Sequence, residues 1–266
     1  MRIVLSLAFA LIGLFPQALP IWAADDFRVR IVYDNKSAVP AAQGDWGFSC
    51  LVERGEDSIL FDTGARTEIL MRNFKSLGVD PASIDLVVLS HPHSDHIGGM
   101  EWILSLNPGI PVFVPGSAGA WYIGLIGRWG GQARVVTDPI ELCEGIYVTR
   151  ALPADFDPAF KEQSLLLRSA RGPILITGCS HPGILAIVRD AATTAGESIR
   201  VLVGGFHLEN KKQGELSSII AGLKDVGIES CGAMHCSGEK AIASLEAAFD
   251  ASFLDLGVGS TLVFPR

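Results

Sequence analysis

An α/β domain is the fold that this sequence predicts, and three observations lead to it. Alternating β-rich runs at 27–33, 47–52 and 58–61 are joined by turns that contain Gly, Asp and Asn. Apolar strand-like runs and helical periodicities then alternate along the chain. In the second half an apolar run, a glycine, a histidine and a helical stretch follow one another three times.

The short opening strands with tight turns imply an antiparallel or mixed sheet. From Thr67 the spacing of Ile69, Leu70, Phe74 and Leu77 sets apolar side chains on one helical face, and Gly78 with Pro81 beyond it supplies the stop. Residues 84–89 form an apolar strand that runs into Ser90-His91-Pro92-His93-Ser94-Asp95-His96-Ile97-Gly98-Gly99, and residues 99–106 read as a helix. Residues 111–115 read as a strand. Residues 116–131, rich in glycine and aromatics, read as a loop or short helix whose Trp121 and Tyr122 are expected to pack inside rather than line a pocket. Strands resume from Arg134 and end in Ile174-Leu175-Ile176-Thr177. The recurring units carry His181, His207 and His235, each three residues after a glycine (Gly178, Gly204, Gly232), followed by helices through Val188, through Leu223 and over 239–249. Their flanking residues differ, so what recurs is a strand end rather than a sequence repeat. Residues 260–264 form a last strand.

The first residues read as an export signal. Met1-Arg2 gives a short positive start, and the apolar run 3–15 is shorter than the roughly 20 residues of a membrane span. Pro16 and Pro20 break the run, and Ala23-Ala24 offers small residues for cleavage. This reading removes residues 1–24 from the fold and leaves 25–266 as one domain. It places the protein in the periplasm or outside the cell, with membrane attachment only if the segment stays uncleaved. Loss of Arg2, the one charge in the segment, takes the net charge from −8 to −9. An acidic chain with Lys211-Lys212 as its one adjacent basic pair has no electrostatic footprint for nucleic acid. A small molecule is the expected partner, and the oligomeric state stays open. Five cysteines (Cys50, Cys143, Cys179, Cys231, Cys236) leave at least one unpaired in a monomer, and Cys179 and Cys236 lie beside the histidines of the recurring units.

All six histidines fall in these motifs. In an extended segment side chains two apart point the same way, so His91 and His93 can grip one cation together. Asp95 and His96 fall where the chain turns toward a helix, and offer a carboxylate and an imidazole in a different direction. A structural zinc takes four ligands in a closed shell; six histidines, Asp95 and Cys179 are too many for one such site. Two adjacent metals would use them and would polarise a substrate oxygen while holding a hydroxide nucleophile at neutral pH. For His207 alone, a substrate-binding or ligand-orienting role serves equally well. Glu162 is a further oxygen donor by type, but a glutamate is more often an exposed charge.

The His91-x-His93-x-Asp95-His96 motif, preceded by Asp62-Thr63-Gly64 after a strand, resembles the metallo-β-lactamase fold superfamily over nearly the whole of residues 25–266. The resemblance implies a four-layer αβ/βα sandwich with metals at the sheet edges and Asp62 as a buried support for the histidine loop. Trp46-Gly47-Phe48-Ser49-Cys50, Gly178-Cys179-Ser180-His181-Pro182-Gly183, Gly204-Gly205-Phe206-His207-Leu208 and His235-Cys236-Ser237-Gly238 resemble a narrower branch. That branch holds dihydropterin ribofuranosylaminobenzene 5'-phosphate synthase and related predicted metal-dependent hydrolases. The chain departs from the wider pattern twice. It has no histidine between His96 and His181, and Gly178-Cys179 stands where a bridging aspartate commonly follows the glycine.

The expectation is therefore a hydrolase with one or two zinc or other divalent ions. His91, His93 and His181 would hold the first ion; Asp95, His96 and His235 the second, with Cys179 in the bridging region. A bridging hydroxide would attack an ester, amide or phosphoester, with Asp95 in the catalytic set and His207 contacting substrate or delivering a proton. A pterin-type synthase and a non-catalytic metal-binding protein on the same fold are the alternatives. A serine or thiol hydrolase fits less well. Gly178-Cys179-Ser180 follows a strand, but its next glycine, Gly183, comes one residue late for a nucleophile elbow, and five histidines would stay without a role.

Overall fold

The computed structural model describes residue 23 and residues 25–266; the segment read as an export signal lies outside them, apart from residue 23. The chain first builds β1 (Phe27–Tyr33), β2 (Ser49–Arg54) and β3 (Asp57–Phe61) as an antiparallel meander, then α1 (Thr67–Leu77). Next come β4 (Leu86–Val88), the short helix α2 (Ser94–Ile97), α3 (Met100–Leu106), β5 (Pro111–Pro115), α4 (Gly119–Arg128) and β6 (Gln132–Val136). β3 to β6 pair in parallel.

The second sheet starts with β7 (Ile140–Cys143) and β8 (Ile146–Val148). A two-stranded ribbon of β9 (Leu152–Pro153) and β10 (Lys161–Glu162) then precedes β11 (Leu165–Ser169) and β12 (Gly172–Thr177). α5 (Ile184–Ala195), β13 (Val201–Gly205), α6 (Gln213–Asp225), β14 (Ser230–Met234) and α7 (Glu239–Phe249) follow, and β15 (Thr261–Phe264) returns to the first sheet. The sheet orders are β15-β1-β2-β3-β4-β5-β6 and β14-β13-β12-β11-β8-β7.

Strand alternation explains the layering. Val29, Ile31, Leu165, Leu167, Ile174 and Ile176 enter one core shared by the two sheets. Val32 and Leu60 face outward into a second core with α1, α3 and α4, while Leu166 and Leu175 face outward into a third with α5, α6 and α7. The result is the expected four-layer αβ/βα sandwich.

Within residues 116–131, read as a loop or short helix, the chain forms the helix α4 over Gly119–Arg128. Tyr122 is buried in the second core, whereas Trp121 is 72% exposed, because a solvent-covered helix can bury only one face. Among the described residues no helix is long and apolar enough to cross a membrane.

Candidate metal centre

All candidate ligands sit where strands end. β4 delivers the 90–99 loop from the first sheet. The parallel strands β12, β13 and β14 deliver Cys179 and His181, His207, and His235 from the second. Parallel neighbours end on the same side of a sheet, so residues far apart in sequence meet at one edge. Asp62, Ser180, His207 and His235, none of them glycine, have positive φ (57°, 71°, 53° and 47°). A side chain bears strain in that region, and such strain clusters where function fixes a side chain's direction. Gly178 allows the two sheets to close: a Cβ there would lie 2.2 Å from Ser90 Oγ and 3.2 Å from Asp62 Oδ2.

Two of the groups that the fold assembles hold most of the candidate ligands. Ligand atoms of His91, His93 and His181 lie within 4.8 Å of one another, and so do those of Asp95, His96, Cys179 and His235. Nε2 of His91 faces Nδ1 of His93 at 3.1 Å, and Nε2 of His96 lies 3.2 Å from Cys179 Sγ.

The outer ring nitrogens are tied down. Ser90 Oγ donates to Asp62 Oδ2 at 2.6 Å, so at 2.9 Å it accepts from His91 Nδ1. His96 Nδ1 donates to the same carboxylate oxygen at 2.7 Å. Asp62, fully buried at the end of β3, thus holds two histidines at once, as the resemblance implied. Across the cleft, Glu162 Oε2 accepts from His181 Nδ1 (2.8 Å) and His181 N (2.9 Å), while Oε1 accepts from the backbone of Cys179 and Ser180 (2.7 Å each). Asn35 Oδ1 lies 3.1 Å from His235 Nδ1. Each of these histidines is left with Nε2 directed into the cluster, the arrangement by which a protein fixes tautomer and ring orientation for a metal. Nε2 of His235 is buried without a hydrogen-bond partner; Asp95 Oδ2 is 3.3 Å away but not aligned with it. A cation between them would remove that unmet polar atom.

The electrostatics favour ligand forms. Burial, reinforced by the charges of His96 and His181, pushes the His91 imidazole far below its usual range, which keeps it neutral. Burial pushes the Asp95 carboxyl up, but His235 and His96 outweigh it and hold the group ionised. Glu162 likewise stays below the ordinary carboxylate range, because its bonds from His181, Ser180 and Cys179 outweigh burial.

Glu162 is the main correction to the sequence reading. It is 2% exposed, not a solvent-facing charge, and its four accepted bonds are what allow a carboxylate to be buried. His207 is exposed at the mouth, its ring 4.5 Å from that of His181. All five cysteines are free thiols. Trp46 went without a role in the sequence reading, yet its Nε1 donates to Asp95 Oδ2 at 2.9 Å and its ring lies 4.7 Å from that of His235. Phe160 packs beside His93 (4.7 Å) and His181 (5.5 Å). Trp46 stood in the Trp46–Cys50 motif with no role attached, whereas Phe160, a lone aromatic in a loop, lies in no pattern that would have singled it out.

The sequence profile described as the Metallo-beta-lactamase superfamily matches residues 47–186, which hold the whole first histidine cluster and His181. The chain belongs to this superfamily. A 7,8-dihydropterin-6-methyl-4-(beta-D-ribofuranosyl)-aminobenzene-5'-phosphate synthase of Methanocaldococcus jannaschii is 28% identical over 263 residues, covering 82% of this chain and 90% of that protein. The solved structure of Tm1679, described as a metal-dependent hydrolase of the beta-lactamase superfamily, superposes with a TM-score of 0.78 at 28% identity, covering 90% of this chain and all of that one. The metallo-beta-lactamase fold protein YhfI from Bacillus subtilis shares the fold, with a TM-score of 0.65 at 16% identity over 90% of this chain and 100% of that one. In this chain the Cys179 sulfur lies beside His96 and the Glu162 carboxylate behind His181.

Proposed function

We propose that the protein is a metal-dependent hydrolase acting on a small-molecule ester, amide or phosphoester. The observation that carries this reading is the set of buried imidazoles whose outer nitrogens are held by Asp62 (directly and through Ser90), Glu162 and Asn35. His91, His93 and His181 would hold one divalent ion, and Asp95, His96, His235 and Cys179 a second; zinc suits this mixture of nitrogen, oxygen and sulfur donors. Such ions supply Lewis-acid charge that polarises a substrate oxygen and activates water near neutral pH.

The chain's own groups do the rest. Asp62 and Glu162 orient the imidazoles. Asp95, steadied by Trp46, presents its carboxylate to the reacting region. His207, at the mouth beside His181, is placed to contact substrate or pass a proton to the leaving group. A cavity of about 390 Å³, lined in part by Phe156, His181, Phe206, His207 and Lys211, gives a small molecule room beside these groups. The test is hydrolysis of an ester, lactam and phosphoester panel before and after chelation. Activity that requires the metal supports the reading, and full activity in metal-free protein overturns it.

The 28% identity to the pterin-related synthase over 82% of this chain favours a second reading, a transferase or synthase built on the same centre. Product analysis with pterin-type substrates separates the two. We also propose export directed by residues 1–24; the mass of the N-terminal peptide of mature protein tests it.

A further inference from the structure

Cys236 takes no part in the hydrolase reading, although it is 5% exposed and sits at the centre's edge. We infer that Cys179, His207 and Cys236 form a separate soft-ligand position for a thiophilic d10 cation such as Zn2+, Cd2+ or Cu+.

The ligand atoms of these three residues lie within 4.8 Å of one another. They come from three successive parallel strands: Cys179 follows β12, His207 follows β13 and Cys236 follows β14. Gly205 at the end of β13 keeps the space between them open, because a Cβ there would lie 2.8 Å from Cys236 Sγ and 2.3 Å from the Gly178 carbonyl. The other thiols are elsewhere. Cys50 and Cys143 belong to the core between the sheets, and Cys231 to the core under α5 to α7. A second cavity, of about 290 Å³ and lined by Trp46, His207, Glu209, Lys211 and Cys236 among others, reaches this group.

Two sulfurs and an imidazole select soft or borderline cations over Mg2+, Ca2+ or Mn2+, which favour carboxylate and water oxygens. Binding takes both sulfurs as thiolates and His207 as a neutral imidazole, and releases to solvent the protons that these groups carry. Cys179 is shared, since its sulfur also belongs to the group of Asp95, His96 and His235. The nature of the ion therefore decides the position: a thiophilic ion is drawn toward Cys236 and His207, an oxygen-preferring ion toward Asp95. A cation held by His207 also removes that imidazole from the mouth. The inference extends the metal-centre reading through the shared Cys179, but its readout needs no substrate.

The experiment is a Cd2+ titration of the metal-stripped, reduced full chain, read as sulfur-to-cadmium charge-transfer absorbance. The expected signal has the intensity of two thiolates per tightly held ion and is unaffected by excess Mn2+. Cys236→Ser halves the intensity, and His207→Ala, at an exposed position, keeps it while weakening affinity by roughly tenfold or more. Cys143→Ser changes neither. A wild-type signal of one thiolate that Cys236→Ser leaves intact overturns the inference while leaving the histidine centre standing. Unchanged Cd2+ affinity in folded His207→Ala overturns it equally, including where Cys236→Ser does not fold. Loss of hydrolysis across the substrate panel has no bearing on either outcome.

Discussion

Histidine 181 shows how much of this site depends on a residue that binds nothing itself in the proposed centre. Its ring is aimed by Glu162, which accepts four hydrogen bonds while 2% exposed. Replacing Glu162 by Gln puts an amide N–H against backbone donors and leaves buried donors unmet. Zinc affinity should fall by about 10–100-fold, as for other residues that orient a metal-bound histidine, and stability by about 1–3 kcal/mol. Chelator competition and urea denaturation measure the two effects separately. The histidines were legible in the sequence because every one of them falls in a motif. Glu162 was not: burial of a carboxylate depends on donors supplied by residues 179–181, and no local pattern around position 162 announces them.

At the scale of elements, the ligand loop is clamped by close backbone contacts. Gly98 N donates to Gly64 O at 2.7 Å and Thr63 N to His96 O at 2.7 Å, which ties the loop after β3 to the turn around α2. A Cβ on Gly98 would fall 1.9 Å from the Ala65 carbonyl oxygen. Gly98→Ala should therefore destabilise the protein by about 1–3 kcal/mol through overpacking and weaken metal binding, both measurable on the same samples. The loop that carries Asn35 and Trp46 is held differently, by Asp45 bonding to Arg66 and Tyr33. Arg66, with help from Tyr33, holds the Asp45 carboxyl below its ordinary value. The stability this gives is complete above the normal aspartate range and is lost as pH falls through the depressed value. Urea midpoints followed from neutral to acid pH should decline less steeply in Asp45→Asn than in the parent protein. Most elements could be placed from periodicity and glycine stops, with β1 and α7 matching at both ends. The helix over 119–128 could be read only as a loop or short helix, because its three glycines and its aromatics mask the helical period.

For the whole molecule, the two sheets must stay in register across their shared core, because ligands from both meet at its edge. Leu165 lies in that core with no exposed surface. Leu165→Ala should cost about 2–5 kcal/mol with an unchanged denaturant slope, provided unfolding is one cooperative transition. The pairing of β12, β13 and β14 was legible only as three similar strand ends; that they lie side by side in parallel is a long-range fact which short-range patterns do not encode. The end of β4, which delivers His91 and His93, and the end of β12, which delivers His181, converge on what we propose is a metal position. Anomalous diffraction from zinc-loaded crystals, collected on both sides of the zinc absorption edge, tests it most directly. The expected result is an anomalous peak within bonding distance of the three inward-facing imidazoles. Zinc-loaded crystals with no peak there, or with zinc bound only at sites away from these histidines, would contradict it.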